Sequence, residues 1–149
     1  MIYEISEPPE DATPKTVLVL DDDPDFTDTL KDALEIHHYR LTIVPTGAEG
    51  IKQILATDFD AIVCDMVMPN FPGDMFYLAV QRTRPHLCKR FIFVSGHKDN
   101  EKIIQFIKQT KRIALWKPFE MQGLLDALKT VTRSSGQPAH AAELNAFSK

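Results

Sequence analysis

The chain has 149 residues, 44% of them hydrophobic and 26% charged, with a formal net charge of −4. This length suits one domain around a single core, and the composition excludes global disorder. No apolar run approaches the length of a membrane span, and no long basic block marks nucleic acid as a partner.

The N-terminus, MIYEISEPPEDATP, is acidic and proline-rich and lacks the basic start and apolar centre of a secretory signal. Residues 1–14 therefore read as a flexible extension. The run VLVL at 17–20 is a strand that leads straight into Asp21, Asp22 and Asp23. Asp23 before Pro24 reads as a helix cap and first helical residue, with Phe26, Leu30, Ala33, Leu34 and His37 at helical spacing after it. Asp25 and Asp28 are first-turn acids favoured by the helix dipole.

A second strand is LTIV at 41–44. Thr46 to Glu49 has the form of a capping box, and Ile51, Ile54 and Leu55 give the next helix a buried face. AIVC at 61–64 is the third strand, and MPNFPG at 68–73 is a loop set by two prolines and a glycine. A helix with Met75, Phe76, Leu78 and Ala79 follows, then FIFV at 91–94 as the fourth strand. Ile103, Phe106 and Ile107 mark the fourth helix, IALW at 113–116 the fifth strand, and Leu124, Leu125, Leu128 and Val131 the fifth helix. The pattern stops after Arg133. Residues 134–149 read as a tail or linker that could end in a helix at 139–147.

Five β-α units with short, continuous apolar strands predict an α/β fold, a doubly wound five-stranded parallel sheet with helices on both faces. In such a sheet the residue after each strand lies at one edge, where ligands bind. Those residues are Asp21 and Asp22 after strand one, Asp65 after strand three, Ser95 and Gly96 after strand four, and Lys117 and Pro118 after strand five. Clustered carboxylates repel and take up protons unless a cation sits among them. Oxygen donors favour a hard ion such as Mg2+. A carboxylate can also be a nucleophile towards phosphorus, with Lys117 and the Ser95 hydroxyl meeting phosphoryl oxygens and the small Gly96 allowing a close backbone approach.

From Lys15 to Arg133 the chain resembles the receiver domain of two-component response regulators. The residues that carry the resemblance are the acidic pair in VLVLDDDP, the aspartate of IVCDMVMPNFPG, the Ser-Gly of FVSGH and the Lys-Pro-Phe of LWKPF. The resemblance implies a flavodoxin-like strand order of 2-1-3-4-5 and a receiver domain over 15–133. It implies Asp65 as phospho-acceptor, Asp21 and Asp22 as metal-site acids, and the Val67 carbonyl as a further Mg2+ ligand. Ser95 would sense the phosphoryl group and Lys117 would pair with it. The Lys117–Pro118 peptide is often cis in the family.

The implied partners are a histidine kinase or histidine phosphotransfer protein beside the first helix. A downstream protein or output domain would be reached through the fourth helix, fifth strand and fifth helix, with a homodimer on phosphorylation also a candidate. No direct nucleic-acid or membrane binding is implied, and the setting would be cytoplasmic. The chain departs from the family pattern at Ala114, where an aromatic switch residue is common, and at Pro72, where an aspartate is common. Val67 and His97 occupy the positions that tune dephosphorylation.

Two other readings compete. One is an adaptor that keeps the fold without phosphorylation. The other is a Mg2+-dependent aspartate-nucleophile phosphatase, suggested by Asp21-x-Asp23, but it leaves Asp65 without a role and has Asp25 where such motifs carry Thr or Val. The expectation is a phosphoryl acceptor, not a turnover enzyme. Elsewhere the plain readings hold: Cys64 and Cys88 as buried thiols, Trp116, Met66 and Met68 as packing residues, and the patch of Lys108, Lys111 and Arg112 as a solvated face. The remaining histidines, His37, His38, His86 and His140, lack a second metal ligand at useful spacing.

Overall fold

A computed structural model describes residues 13–136. The proposed helix at 139–147 and nearly all of the N-terminal extension lie outside them. The strands are β1 (Lys15–Leu20), β2 (Tyr39–Val44), β3 (Ala61–Asp65), β4 (Phe91–Ser95) and β5 (Ile113–Trp116). The helices are α1 (Pro24–Ile36), α2 (Gly47–Ala56), α3 (Gly73–Thr83), α4 (Glu101–Thr110) and α5 (Met121–Gly136). All neighbouring strands are parallel, in the order β2-β1-β3-β4-β5. The expected architecture and strand order are both present.

Strand alternation divides the core into two layers. Leu18, Leu20, Ile62, Cys64, Phe91 and Phe93 face α2, α3 and α4, while Val17, Val19, Ala61, Val63, Ile92 and Val94 face α1 and α5. Both faces are covered, which is why these strands read as unbroken apolar runs. Asp23 caps α1, accepting from Asp25 N–H at 3.1 Å, and Thr46 Oγ1 accepts from Glu49 N–H at 3.2 Å to cap α2.

Four details differ from the sequence reading. Leu55, in the last turn of α2, is 56% exposed, and Ile54 carries the buried face. His37 is the exposed C-cap of α1 and no part of its apolar stripe. In α3 the buried side chains are Phe76, Tyr77 and Val80, leaving Met75 and Leu78 exposed. A 3-10 turn over Pro85–Arg90 precedes β4 and is tied down by Arg90 Nη1, which donates to the Phe59 carbonyl at 2.8 Å. In addition, α5 continues beyond the last apolar position through Gly136.

The loop between β3 and α3 is anchored at both ends. Gly73 N–H donates to the Met66 carbonyl at 3.1 Å, and a Cβ on Gly73 would stand 2.5 Å from the Asp65 carbonyl oxygen. Only glycine permits that approach. Phe71 lies on the first turn of α2, where a Cβ on Gly47 would meet its ring at 2.7 Å.

Candidate functional site

β1, β3, β4 and β5 end at the same edge, so the residues that follow them converge. Asp21, Asp22 and Asp65 each offer a carboxylate oxygen, and these oxygens lie within 4.8 Å of one another. Asp21 and Asp65 are buried and Asp22 is exposed, so the cluster is open on one side. Three hard donors with a solvent-facing opening fit a divalent cation that keeps several waters.

Each buried acid has one oxygen tied to backbone. Asp21 Oδ1 accepts from Asp23 N–H and Asp65 Oδ1 accepts from Val67 N–H, both at 3.0 Å. Lys117 reaches the other two oxygens, with Nζ 2.9 Å from Asp21 Oδ2 and 3.9 Å from Asp65 Oδ2. Burial pushes the Asp65 carboxyl up from the usual 3.8 to about 6. The Val67 N–H opposes that rise, Asp21 adds to it, Lys117 pulls it back and Asp22 adds a little more.

Ser95 is buried at the end of β4, and its Oγ accepts from His97 N–H at 3.0 Å. Its carbonyl accepts from Lys117 N–H at 2.7 Å, coupling the ends of β4 and β5. The Lys117–Pro118 peptide is cis. Gly96 is exposed, and a Cβ there would have nothing within 4 Å, so no close approach makes it necessary here. Val67 is 44% exposed beside the acids.

Thus Asp21, Asp22, Asp65 and Lys117 come together, while the Ser95 hydroxyl is engaged with its own loop. One neighbour was not legible as a site residue. The Phe26 ring lies 4.1 Å from Lys117 Nζ, centroid to nitrogen. Its helical spacing marked it only as part of the apolar face of α1.

The remaining candidates take ordinary roles. Met66 and Met68 are buried, Trp116 packs against the core, and Cys64 and Cys88 are buried free thiols. Among the described residues no helix is long and apolar enough to cross a membrane.

Comparison with known proteins gives the same outline. The transcriptional regulatory protein RprY of Bacteroides fragilis is 26% identical over 117 residues, which cover 78% of this chain and 49% of that protein. The sensor kinase CckA of Brucella abortus is 28% identical over 116 residues, 76% of this chain and 12% of that one. The chain spans about half the length, or less, of these relatives. Among solved structures, a CheY-like receiver domain protein of Methanospirillum hungatei has a TM-score of 0.74 at 24% identity, covering 81% of this chain and 95% of its own. The receiver domain of the Francisella response regulator 1452 has a TM-score of 0.72 at 24% identity, covering 81% and 98%. The profile of the response regulator receiver domain matches residues 17–129, and with the acids and lysine at the expected strand ends, the chain belongs to that family.

Proposed function

We propose that the chain accepts a phosphoryl group on Asp65 from a histidine kinase or phosphotransfer protein and relays that charge to a partner. The observation that carries this reading is the convergence of Asp21, Asp22, Asp65 and Lys117 on one edge of the sheet. Asp21, Asp22, one oxygen of Asp65 and the Val67 carbonyl would hold Mg2+. When bound, the ion supplies positive charge that neutralises carboxylates and phosphoryl oxygens.

The chain's own residues do the rest. Asp65 Oδ1 is fixed by the Val67 N–H, which leaves Oδ2 as the attacking oxygen. The Oδ2–P bond forms as the bond from phosphorus to the donor's leaving group breaks. Lys117, already 3.9 Å from Oδ2, is placed to pair with the incoming phosphoryl oxygens. This is acceptance of one group, without turnover of a substrate.

The experiment is intact-mass spectrometry after incubation with acetyl phosphate and magnesium. The expected product carries the mass of one phosphoryl group, and excess chelator should suppress it. Undiminished labelling in chelator would refute the metal role, and no labelling under any condition would refute the acceptor.

The relay runs through the loop between β4 and α4. Residues 96–100 are all exposed, whereas the β3–α3 loop is clamped by Gly73 and Phe71. Helix α4 itself is held lightly. Ile107 is its one buried residue, and its Phe106 ring lies 5.8 Å from Tyr77 and 5.9 Å from Phe93. An open pocket of about 270 Å³ lies between α4 and the β3–α3 loop, lined by Met66, Val67, Met68, Ile103 and Phe106 among others. Elements with few buried contacts beside solvent are the ones that shift.

A phosphoryl group on Asp65 would draw in the Ser95 hydroxyl and pull on the loop. Charge-assisted hydrogen bonds of about 1.5–3 kcal/mol each are enough to bias such an element. Ala114, paired with Phe93 on the neighbouring strand, has no ring to rotate, so the signal passes through the loop and α4. Beryllofluoride should therefore shift amide resonances across Ser95–Lys102, and Ser95→Ala should blunt the change. Shifts confined to Asp65 and its immediate neighbours would refute this route. The face of α4, β5 and α5 is then the one read by a downstream protein, an output domain or a second copy of the chain. The kinase side docks beside α1, and the setting is cytoplasmic.

A further inference from the structure

Phe26 lies in the first turn of α1, four residues after Asp22, and packs partly buried against the core on that side of the sheet. Lys117 Nζ stands 4.1 Å from its ring centroid. Phe119, two residues after Lys117, meets the same ring edge-on at 6.0 Å and 87°. The ring is thus braced by the loop that carries the lysine. We propose that Phe26 is a positioning residue: its ring face holds the Lys117 ammonium between Asp21 and Asp65, ready for a phosphoryl group. This rests on the acceptor reading above.

A lysine stem has four rotatable bonds, so something must choose where the ammonium points. Asp21, at 2.9 Å, looks sufficient for that. Yet Asp21 is one of the acids assigned to the divalent cation. Once a metal engages it, its attraction for Lys117 falls and the metal repels the ammonium. A phenyl ring attracts a cation through its quadrupole and carries no net charge, so a metal has nothing on it to claim. The contact therefore persists when the acids are neutralised. A third carboxylate in place of Phe26 would hold the lysine too, but it would also put negative charge where phosphoryl oxygens must come. The ring also occupies only one side of the ammonium, leaving its N–H donors for those oxygens.

The plain alternative is that Phe26 only fills volume between α1 and the loop after β5. Two variants of the full chain separate these roles. Phe26→Leu keeps an apolar side chain and removes the ring face. Phe26→Tyr keeps the face. The direct readout is the proton shift of the Lys117 ε-methylene, which a ring beneath the ammonium moves upfield. It should be upfield in the wild type and in Phe26→Tyr, and should stay so when magnesium is added. In Phe26→Leu it should return to the ordinary lysine position.

With acetyl phosphate and magnesium, Phe26→Leu should be labelled about tenfold more slowly, the size expected of a partly desolvated cation–ring contact. Phe26→Tyr should recover most of the rate. A wild-type ε-methylene at the ordinary position, or one that moves there on adding magnesium, would overturn the proposal. Unchanged labelling in Phe26→Leu with the ring shift lost would overturn it as well. If the wild type accepts no phosphoryl group, the acceptor reading fails, and the ring shift still decides whether Phe26 holds Lys117.

Discussion

Asp65→Asn should take up no phosphoryl group from acetyl phosphate and magnesium, a loss of at least about a hundredfold, since an amide is not a nucleophile at neutral pH. The geometry favours this acid, of the three, as the proposed acceptor. Asp21 has both oxygens engaged, one by Asp23 N–H at 3.0 Å and the other by Lys117 at 2.9 Å. Asp22 is exposed, where water competes for a phosphoryl group and hydrolyses it. Asp65 is buried, and its Oδ2 has only the longer 3.9 Å contact to Lys117. The transfer needs no proton, because the ionised carboxylate attacks and the donor's acetate leaves. The bond formed is an acyl phosphate, so hydroxylamine should release it. Full labelling of Asp65→Asn at the wild-type rate, or labelled peptide mapped to Asp21 or Asp22, would sink the assignment.

Much of this site is legible in the sequence alone, for a reason that lies in the topology. In a parallel sheet every strand ends at the same edge, so four short apolar runs locate Asp21, Asp65, Ser95 and Lys117 together without knowledge of their contacts. What was not legible depends on pairs of elements whose approach the sequence does not encode locally. Phe26 meets Lys117 only because the first turn of α1 lies against the loop after β5. The clamp of Gly73 on the Asp65 carbonyl arises from how the β3–α3 loop folds back over its own strand.

Helix faces show the same limit. The spacing of Ile51, Ile54 and Leu55 suggests a common stripe, but burial depends on what covers each position, and Leu55 stays more than half exposed. The small Gly96 after β4 suggests a tight backbone approach, whereas the space beside it is open. That opening matters for the proposed relay, because the exposed β4–α4 loop has room to move, whereas the start of α3 is held close against its own strand at Gly73. The residues proposed to carry the chemistry sit at the ends of buried strands, and the exposed segment 96–100 beside them leads to α4. This division suits a module whose site must be fixed and whose message must be a displacement.

The same burial that shapes Asp65 for chemistry predicts a stability effect with a definite sign. Its carboxyl titrates at about 6 in the folded chain against the usual 3.8. Between those two pH values the native state holds a proton that the unfolded chain has released. Stability therefore falls as pH rises through this window, and above it the cost of the buried charge is complete. A rise from 3.8 to about 6 corresponds to about 3 kcal/mol. Asn at this position keeps an oxygen to accept the Val67 N–H and carries no charge. Asp65→Asn should then be more stable than the wild type by about 2–3 kcal/mol at pH 7, and by almost nothing below pH 4. Urea denaturation of both proteins at several pH values measures the difference directly. Magnesium should narrow it at pH 7 by stabilising the wild type more than the variant, since a cation offsets a charge that the variant does not have. A gap that does not change with pH, or a variant less stable at pH 7, would mean that the Asp65 charge is already compensated within the protein. In that case the acidic cluster would have no electrostatic need for a cation.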